Sequence, residues 1–237
     1  MRTLRSAHAV AVLAALIAAC APLVRETAPE PQPAARQAPE NFPHSVYAQA
    51  AAQGRSVYRI DPVRSPVTMT VRRGGSLARL GHDHVVASHE VQGYIAPEQE
   101  RADLYIPLEE LSVDEPTLRA EAGLDTQPSE SDIAGTRANM LDKVLQTKQF
   151  PFAVIAVNGI EKMQMGVRLT ATLTLHGASR TFNVPARIET GRDEMNVTGW
   201  FEFNQSDFGI VPFSILGGAI RVQDRLSLRF RILARRV

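Results

Sequence analysis

Three consecutive residues, His82-Asp83-His84, carry the side chains best suited to chemistry in this sequence. On a strand, residues two positions apart share a face, so the two imidazoles can bind one metal ion. Asp83 can orient one ring or add a carboxylate ligand. A metal site in a protein usually has three or four converging ligands, so His89 or His176 would have to complete a site that begins with His82 and His84. His89 has the opposite strand parity to His84, so it joins only if a bulge or turn intervenes.

Three interpretations of this histidine pair stay open from the residues alone. The pair forms a metal or haem site, or it gives polar lining to the mouth of a ligand pocket, or it is structural. The structural interpretation rests on Gly81, which indicates a turn, and on the ability of both rings to hydrogen-bond loop backbone.

The sequence contains no motif typical of catalysis. It has no G-x-S-x-G nucleophile turn, H-E-x-x-H pair, phosphate-binding loop or dinucleotide fingerprint. Glu109 and Glu110 are adjacent, so on a strand they point to opposite faces and form a solvated charge pair rather than a paired acid and base. A single cysteine excludes a disulfide framework, a cysteine zinc cluster and a C-x-x-C redox pair. The sequence therefore predicts a binding protein, not an enzyme.

Two further motifs are assigned to turns. His176 precedes Gly177, and we expect its side chain to cap backbone carbonyls. Asp207-Phe208-Gly209 predicts a tight turn in which Asp207 accepts backbone N–H groups and Gly209 supplies the unusual dihedral angles.

The N-terminal residues predict export and lipid anchoring. Residues 1–19 are interpreted as a signal peptide, with Arg2 and Arg5 ahead of a short apolar stretch. Ile17-Ala18-Ala19-Cys20 matches the cleavage box of bacterial lipoproteins, so Cys20 is expected to become an acylated first residue that attaches the protein to a membrane. Ala21 follows, which favours the outer membrane, facing the periplasm.

Residues 20–55 are predicted to be a tether between that anchor and a folded domain. Six prolines in residues 21–43 and little bulky apolar content favour an extended segment. Residues 44–53 are expected to form a short helix, and the folded domain is placed at residues 56–237.

The charge balance excludes an electrostatic surface for nucleic acid. Lysine plus arginine number 26 against 25 aspartate plus glutamate, a formal net charge of +1. Without residues 1–19, which carry two arginines and no acid, the balance is −1. A nearly neutral mature chain has no basic patch of the kind that binds phosphate backbones.

The positions of apolar residues alternate with period two over most of the domain, which predicts antiparallel strands with one buried face. The clearest sets lie in residues 167–176 and 225–232, with others in 182–188 and 67–71. Further strands are expected near residues 57–60, 85–95, 102–113, 152–160 and 196–203.

One helix interrupts the strands. Residues 131–146 place Ile133, Met140, Leu141, Val144 and Leu145 on one helical face, and Ser129 with Asp132 forms an N-cap pair. The fold class is therefore all-β with one inserted helix. Eight or nine antiparallel strands avoid exposed edges most simply by closing into a barrel, which can enclose one small ligand.

The order of these elements and several short motifs resemble the YceI-like family of lipid- and polyisoprenoid-binding proteins. The motifs are Tyr58-Arg59-Ile60-Asp61, Val91-Gln92-Gly93-Tyr94, Leu111-Ser112-Val113-Asp114, Asn139-Met140-Leu141, Lys148-Gln149-Phe150-Pro151, Leu173-Thr174-Leu175-His176-Gly177, Asp207-Phe208-Gly209 and Val222-Gln223-Asp224. The resemblance implies a lipocalin-like barrel that holds an apolar chain outside the cytoplasm. Residues 115–130 are longer and more acidic than in the family, and Gly81-His82-Asp83-His84 marks a variant of it.

The leading hypothesis is a lipid-anchored extracytoplasmic protein that carries or sequesters an isoprenoid-like lipid, with no cofactor. Strand parity selects seven wall candidates, Met69, Leu169, Leu173, Phe201, Phe203, Leu228 and Phe230. Trp200, on the opposite face from Phe201, is added as a residue of the mouth. The alternatives are a periplasmic metal- or haem-linked accessory protein that uses His82 and His84, and an envelope scaffold with a filled core. The sequence leaves undecided whether the protein forms a homodimer.

Overall fold

A computed structural model of the protein describes residues 38–124 and 126–237. The predicted signal peptide, Cys20 and the first part of the predicted tether lie outside the described residues.

Strands make up most of the described chain. In chain order they are β1 Tyr58–Ile60, β2 Val67–Val71, β3 Arg73–Gly74, β4 His84–Ser88, β5 Gln92–Ala96, β6 Arg101–Pro107, β7 Ser112–Val113, β8 Phe152–Lys162, β9 Val167–Leu175, β10 Ala178–Thr190, β11 Glu194–Asn204, β12 Ser214–Ile215, β13 Ile220–Val222 and β14 Arg225–Arg236. The α-helices are α1 His44–Ala52, α2 Pro116–Glu121 and α3 Glu130–Asn139, and a π-helical turn at Met140–Val144 continues α3. None of the described helices has the length and apolarity needed to cross a membrane.

Eight antiparallel strands close into a barrel. Their order is β1-β5-β6-β8-β9-β10-β11-β14, and β14 pairs with β1 to complete the ring. One edge of β14 pairs with β11, while its other edge pairs with β2 at residues 227–230 and with β1 at residues 234–236. β2, β4 and β7 extend the wall from β14. The predicted all-β fold with an antiparallel barrel is confirmed.

Alternating side chains explain why these segments form a two-faced wall. On β9, Leu169 and Leu173 are buried inside the barrel. The Thr172 hydroxyl lies on the outer face, 2.9 Å from the hydroxyl of Thr181 on β10. This period-two burial is the pattern that the sequence predicts for β9 and β10.

Two predicted strands are each divided in the structure. Residues 85–95 form β4 and β5, and residues 102–113 form β6 and β7. β4 pairs with β2 and β7, whereas β5 pairs with β1 and β6, so the chain must leave one part of the wall and enter another. The sequence prediction of two long strands was wrong because hydrophobic runs do not reveal a change of partner.

The predicted short helix at residues 44–53 is present as α1, and it packs on the outside of the barrel. Tyr47 and Ala50 are buried against Val57 and Ala96. The Tyr47 hydroxyl donates a hydrogen bond of 2.6 Å to Oδ2 of Asp103 on β6. Burial, reinforced by this carboxylate, raises the pKa of Tyr47. Residues 38–237 form one compact unit, which includes α1.

The inserted helix is capped as the sequence indicates. The Asp132 backbone N–H donates to Oγ of Ser129 at 3.2 Å, and the Ser129 N–H donates back to Asp132. Ile133 and Met140 pack against the barrel core. The sequence did not predict α2, a six-residue helix that begins with Pro116 and lies within the acidic segment.

We expect the substitution Gly93→Ala on β5 to lower the free energy of unfolding by about 2–5 kcal/mol. Gly93 has φ of 142°, and a Cβ there would lie 2.1 Å from the carbonyl oxygen of Asp103 on the paired strand. Denaturant unfolding followed by circular dichroism measures the effect. The matched control is Gly135→Ala in α3, where a Cβ meets nothing within 4 Å. It should raise stability by about 0.5–1 kcal/mol. Equal stability of Gly93→Ala and wild type would contradict the argument.

Candidate functional site

A cavity of about 670 Å³ occupies the interior of the barrel. All seven wall candidates chosen by strand parity line it: Met69, Leu169, Leu173, Phe201, Phe203, Leu228 and Phe230. Protein interiors are normally packed with few voids larger than a water molecule. This volume lies within the range of roughly 300–1,000 Å³ that is usual for small-molecule sites.

Trp200 does not belong to this wall, and its assignment to the ligand site was wrong. Its side chain is 57% exposed, and the residue lies opposite Arg229 in the β11–β14 pair. The alternation that places Phe201 inside the barrel places Trp200 outside.

Much of the wall comes from strands whose inward face the sequence does not reveal. Leu104 and Ile106 line the cavity from β6, and Ile155 lines it from β8. Residues 102–107 are all buried, because α1 and aromatic side chains cover the outer face of β6. A strand buried on both faces shows no alternation, so the parity argument could not choose its inward residues.

His82 and His84 both line the cavity beside residues of α3, and their ring centroids are 6.3 Å apart. Asp83, between them, is directed elsewhere. Its carboxylate accepts hydrogen bonds of 2.8 Å from Nη1 of Arg72 and from the backbone N–H of Arg73. These donors outweigh the effect of partial burial and hold the pKa of Asp83 below its usual value. Asp83 therefore fixes the loop rather than joining the two imidazoles.

A buried ion pair holds His84 in place. Nδ1 of His84 lies 2.5 Å from Oδ2 of Asp114, whose side chain is 0% exposed. The other carboxylate oxygen accepts from the Val85 backbone N–H at 3.0 Å and from Nη1 of Arg119 at 2.5 Å. Arg119 is contributed by α2, the helix that the sequence did not predict. An ionised Asp114 can only accept, so Nδ1–H of His84 donates the hydrogen bond to it. Nε2 is then the ring nitrogen of His84 that is left for a ligand.

The charge state of Asp114 follows from its partners. Burial by itself raises the pKa of this carboxyl. His84, the Val85 N–H and Arg119 together lower the pKa by more than burial raises it, so the net pKa is below the usual value. The carboxylate is therefore ionised at neutral pH and balances the buried guanidinium.

His82 presents an unpaired polar atom at the same place. Its Nδ1 is buried and has no hydrogen-bond partner within the described residues. Buried polar groups are nearly always hydrogen-bonded, so this nitrogen is suited to a polar group of a ligand. Asp132 of α3 also lines the mouth. Hydrogen bonds from Ser129, with the charges of His82 and His84, hold the pKa of Asp132 below its usual value.

The side chains expected to complete a metal site are engaged elsewhere. Nε2 of His89 lies 2.9 Å from Oε1 of Glu115 on the outside of the domain. Within residues 38–124 and 126–237, no three or more His, Cys, Asp and Glu side chains form a group suited to a metal ion. The metal hypothesis therefore lacks a third ligand in the part of the chain described.

The turn assignments have mixed outcomes. His176 and Gly177 form the two-residue turn between β9 and β10, both with positive φ. The His176 ring packs on Phe150 at 4.4 Å between centroids, and its buried Nε2 has no hydrogen-bond partner among residues 38–124 and 126–237. The expected capping role was therefore wrong. Asp207 accepts from the Asn204 N–H at 3.3 Å, and Gly209 has φ of 72°, as the sequence predicts.

Comparison with known proteins agrees with this architecture. The YceI-like domain family matches residues 58–234. A polyisoprenoid binding domain from Saccharophagus degradans, implicated in plant cell wall breakdown, is 13% identical with a TM-score of 0.54, covering 76% of this chain and 98% of that one. BcnA of Burkholderia cenocepacia is 15% identical with a TM-score of 0.52, covering 73% and 98%. These likenesses show the fold. Among curated proteins, none matches this sequence.

We expect Asp114→Asn to lower the free energy of unfolding at pH 7 by about 3–5 kcal/mol, because it leaves Arg119 buried without its counter-charge. The folded pKa of Asp114 is depressed. The stability that ionised Asp114 contributes is therefore fully present above its unfolded pKa of about 3.9. This stability is lost as the pH falls through the lower pKa of the folded state. The difference between wild type and Asp114→Asn should shrink below about pH 4. Denaturant unfolding from pH 2 to pH 7 measures it.

The exposed carboxylate of Asp142 gives the control. Asp142→Asn should leave the stability curve close to that of wild type over the same pH range. A constant difference between Asp114→Asn and wild type down to pH 2 would show that the buried ion pair does not titrate as argued.

Proposed function

We propose, from the premise that this chain belongs to the YceI-like domain family, that it binds an isoprenoid-like lipid inside its barrel and carries or sequesters that lipid. In this proposal the protein is a binding protein and not an enzyme.

The open interior is the observation that carries the proposal. In core mutants, a dry void costs about 24 cal/mol per Å³. In a cavity of about 670 Å³ lined mainly by apolar side chains, many of these side chains lack packing partners on one side. An apolar guest removes this cost by restoring van der Waals contacts. The open interior also argues against the alternative of an envelope scaffold with a filled core.

The chemistry of the wall favours a branched hydrocarbon chain. The wall combines aliphatic residues from most of the strands with aromatic residues from β10, β11 and β14. Each methylene that leaves water for such a wall contributes about 0.8 kcal/mol. The Saccharophagus degradans domain is described as polyisoprenoid binding. That description, with the aliphatic and aromatic wall of this barrel, supports an isoprenoid chain as the guest.

The mouth supplies polar groups for one end of the guest. Nδ1 of His82 is buried without a partner in the described region, and His84 is held by Asp114 with Nε2 available. A few fixed polar groups at the edge of an apolar pocket are the usual means of orienting a ligand. We therefore place the lipid head group at the two histidines and the hydrocarbon chain in the barrel.

We expect Ala171→Phe to reduce the lipid recovered with the protein severalfold, because Ala171 lines the cavity between Leu169 and Leu173 and a phenyl ring there fills space needed by the guest. Organic extraction of the purified protein, followed by mass spectrometry, measures the guest. Thr172→Phe, on the outer face of the same strand, is the matched control and should retain it.

The same extract tests the position assigned to the head group. Recovery of a long-chain lipid with a polar head supports the two-part site, whereas a bare hydrocarbon contradicts the role given to His82 and His84. Absence of any lipid from both wild type and Thr172→Phe would overturn the proposed function.

The location of the protein is a further part of the proposal. The signal peptide at residues 1–19, the cleavage box before Cys20 and the proline-rich segment after it support export to the periplasm and a lipid anchor in the outer membrane.

We expect the mature protein from its native host to begin at Cys20 and to carry acyl chains there. Intact-mass and N-terminal peptide mass spectrometry measure both features. Cys20→Ser should remove the acyl mass and release the protein from the membrane fraction. A mature chain with an unmodified Cys20 would contradict the anchor without affecting the barrel site.

A further inference from the structure

A small second sheet stands beside the mouth of the cavity. It contains β12, β13 and β3 in that order. Two short 3-10 turns, Ala78–Leu80 and Leu216–Gly218, belong to the same unit. The Leu77 N–H donates to the Ala219 carbonyl at 2.8 Å, which joins the two segments. We call residues 72–82 and 210–223 together the rim.

The rim is part of the cavity entrance. Ile215, Ile220 and Val222 line the cavity, together with Arg73 and His82 of the same unit. A lipid that enters or leaves past the two histidines therefore passes along the rim.

The rim exposes apolar side chains. Leu80 is 62% exposed, Val211 81%, Ile215 47% and Leu216 68%. A single exposed apolar residue is ordinary, but a group of them around a ligand entrance marks an interaction surface. These side chains belong to the two segments joined by the β13–β3 pairing and the Leu77 hydrogen bond.

The rim is also positively charged. Its two segments contain Arg72, Arg73, Arg79 and Arg221, and neither contains an aspartate or a glutamate. The carboxylate of Asp83, next to the rim, pairs with Arg72 and Arg73, while Arg79 and Arg221 are exposed among the apolar residues. This concentration of one sign is local, because the chain as a whole is nearly neutral.

We propose that the rim docks on an anionic lipid bilayer, with Leu80, Ile215 and Leu216 entering the headgroup region and Arg79 and Arg221 contacting lipid phosphates. Apolar side chains combined with basic ones are the pattern by which proteins bind membrane interfaces. Docking in this orientation directs the cavity entrance toward the bilayer, so that a lipid can move between membrane and barrel without crossing water. This purpose rests on the proposed function, but the docking itself is measured separately.

The experiment uses the purified full chain mixed with vesicles of phosphatidylcholine alone or with added phosphatidylglycerol. Wild type and every variant are prepared with Cys20→Ser, so that the proposed acyl anchor is absent and differences in partition report the rim. Hydrogen–deuterium exchange is expected to slow in peptides from residues 72–82 and 210–223 on the anionic vesicles. Co-sedimentation then compares Leu80→Ser/Leu216→Ser and Arg79→Gln/Arg221→Gln with wild type.

We expect the serine pair to weaken partition to vesicles about tenfold or more, since each leucine loses part of its apolar transfer free energy. The glutamine pair should weaken partition to anionic vesicles roughly tenfold or more, because each basic residue near the surface is attracted to anionic lipid. It should have little effect on phosphatidylcholine vesicles. The matched control, Val63→Ser/Met165→Ser, changes two apolar residues outside the rim that are more exposed than Leu80 and Leu216, and it should bind as wild type does.

Unchanged exchange in the rim peptides, or equal partition of wild type and both rim variants, would overturn the proposal. Lipid extracted from the same protein samples distinguishes failure of the carrier function from failure of rim docking. A guest in the barrel without rim protection means that the carrier function stands and docking fails. Rim protection without any guest means that docking stands and the carrier function fails.

Discussion

An eight-stranded ring fixes the diameter of a β-barrel, and the size of the inward side chains then decides whether the centre is full or open. In this barrel Ala102, Ala153 and Ala171 face the interior among aliphatic and aromatic neighbours, and a cavity of about 670 Å³ is left. Water gains little from such a wall, because few polar groups are present to hydrogen-bond it. The need to fill this space with apolar material is the constraint on which the functional argument depends.

The two histidines that line the cavity lie together at one end of that space. Asp114 and Arg119 form a buried pair that orients His84, and His82 offers a nitrogen with no partner in the described chain. Buried charges persist when they are paired and hydrogen-bonded, so the pair gives a fixed edge to an otherwise apolar site. The basic and apolar rim lies at the same end of the cavity, so the proposed head-group site and the proposed membrane contact are neighbours.

The sequence predicted the barrel wall wherever one strand face is wet. β9, β10, β11 and β14 alternate clearly, so parity selected Leu169, Phe201 and Phe230 as inward residues. Parity also placed Trp200 on the opposite face, where the structure has it, and the error was to assign it to the mouth all the same. It predicted the Ser129 cap as well, because a cap depends on residues three positions apart. It could not assign β6, where α1 covers the outer face and removes the alternation.

By itself, then, the sequence determined the all-β class, the antiparallel pairing and the inward residues named on β2, β9, β11 and β14, since these follow from side-chain period and local turn chemistry. The tertiary structure alone decided which histidines matter and how. His84 meets Asp114 from 30 positions away, and Arg119 is carried by a six-residue helix that is too short to show a helical period in the sequence. His89 and His176 have other partners. The open interior was likewise decided in three dimensions, because the volume left inside a closed sheet depends on how facing side chains meet, and no single strand contains that information.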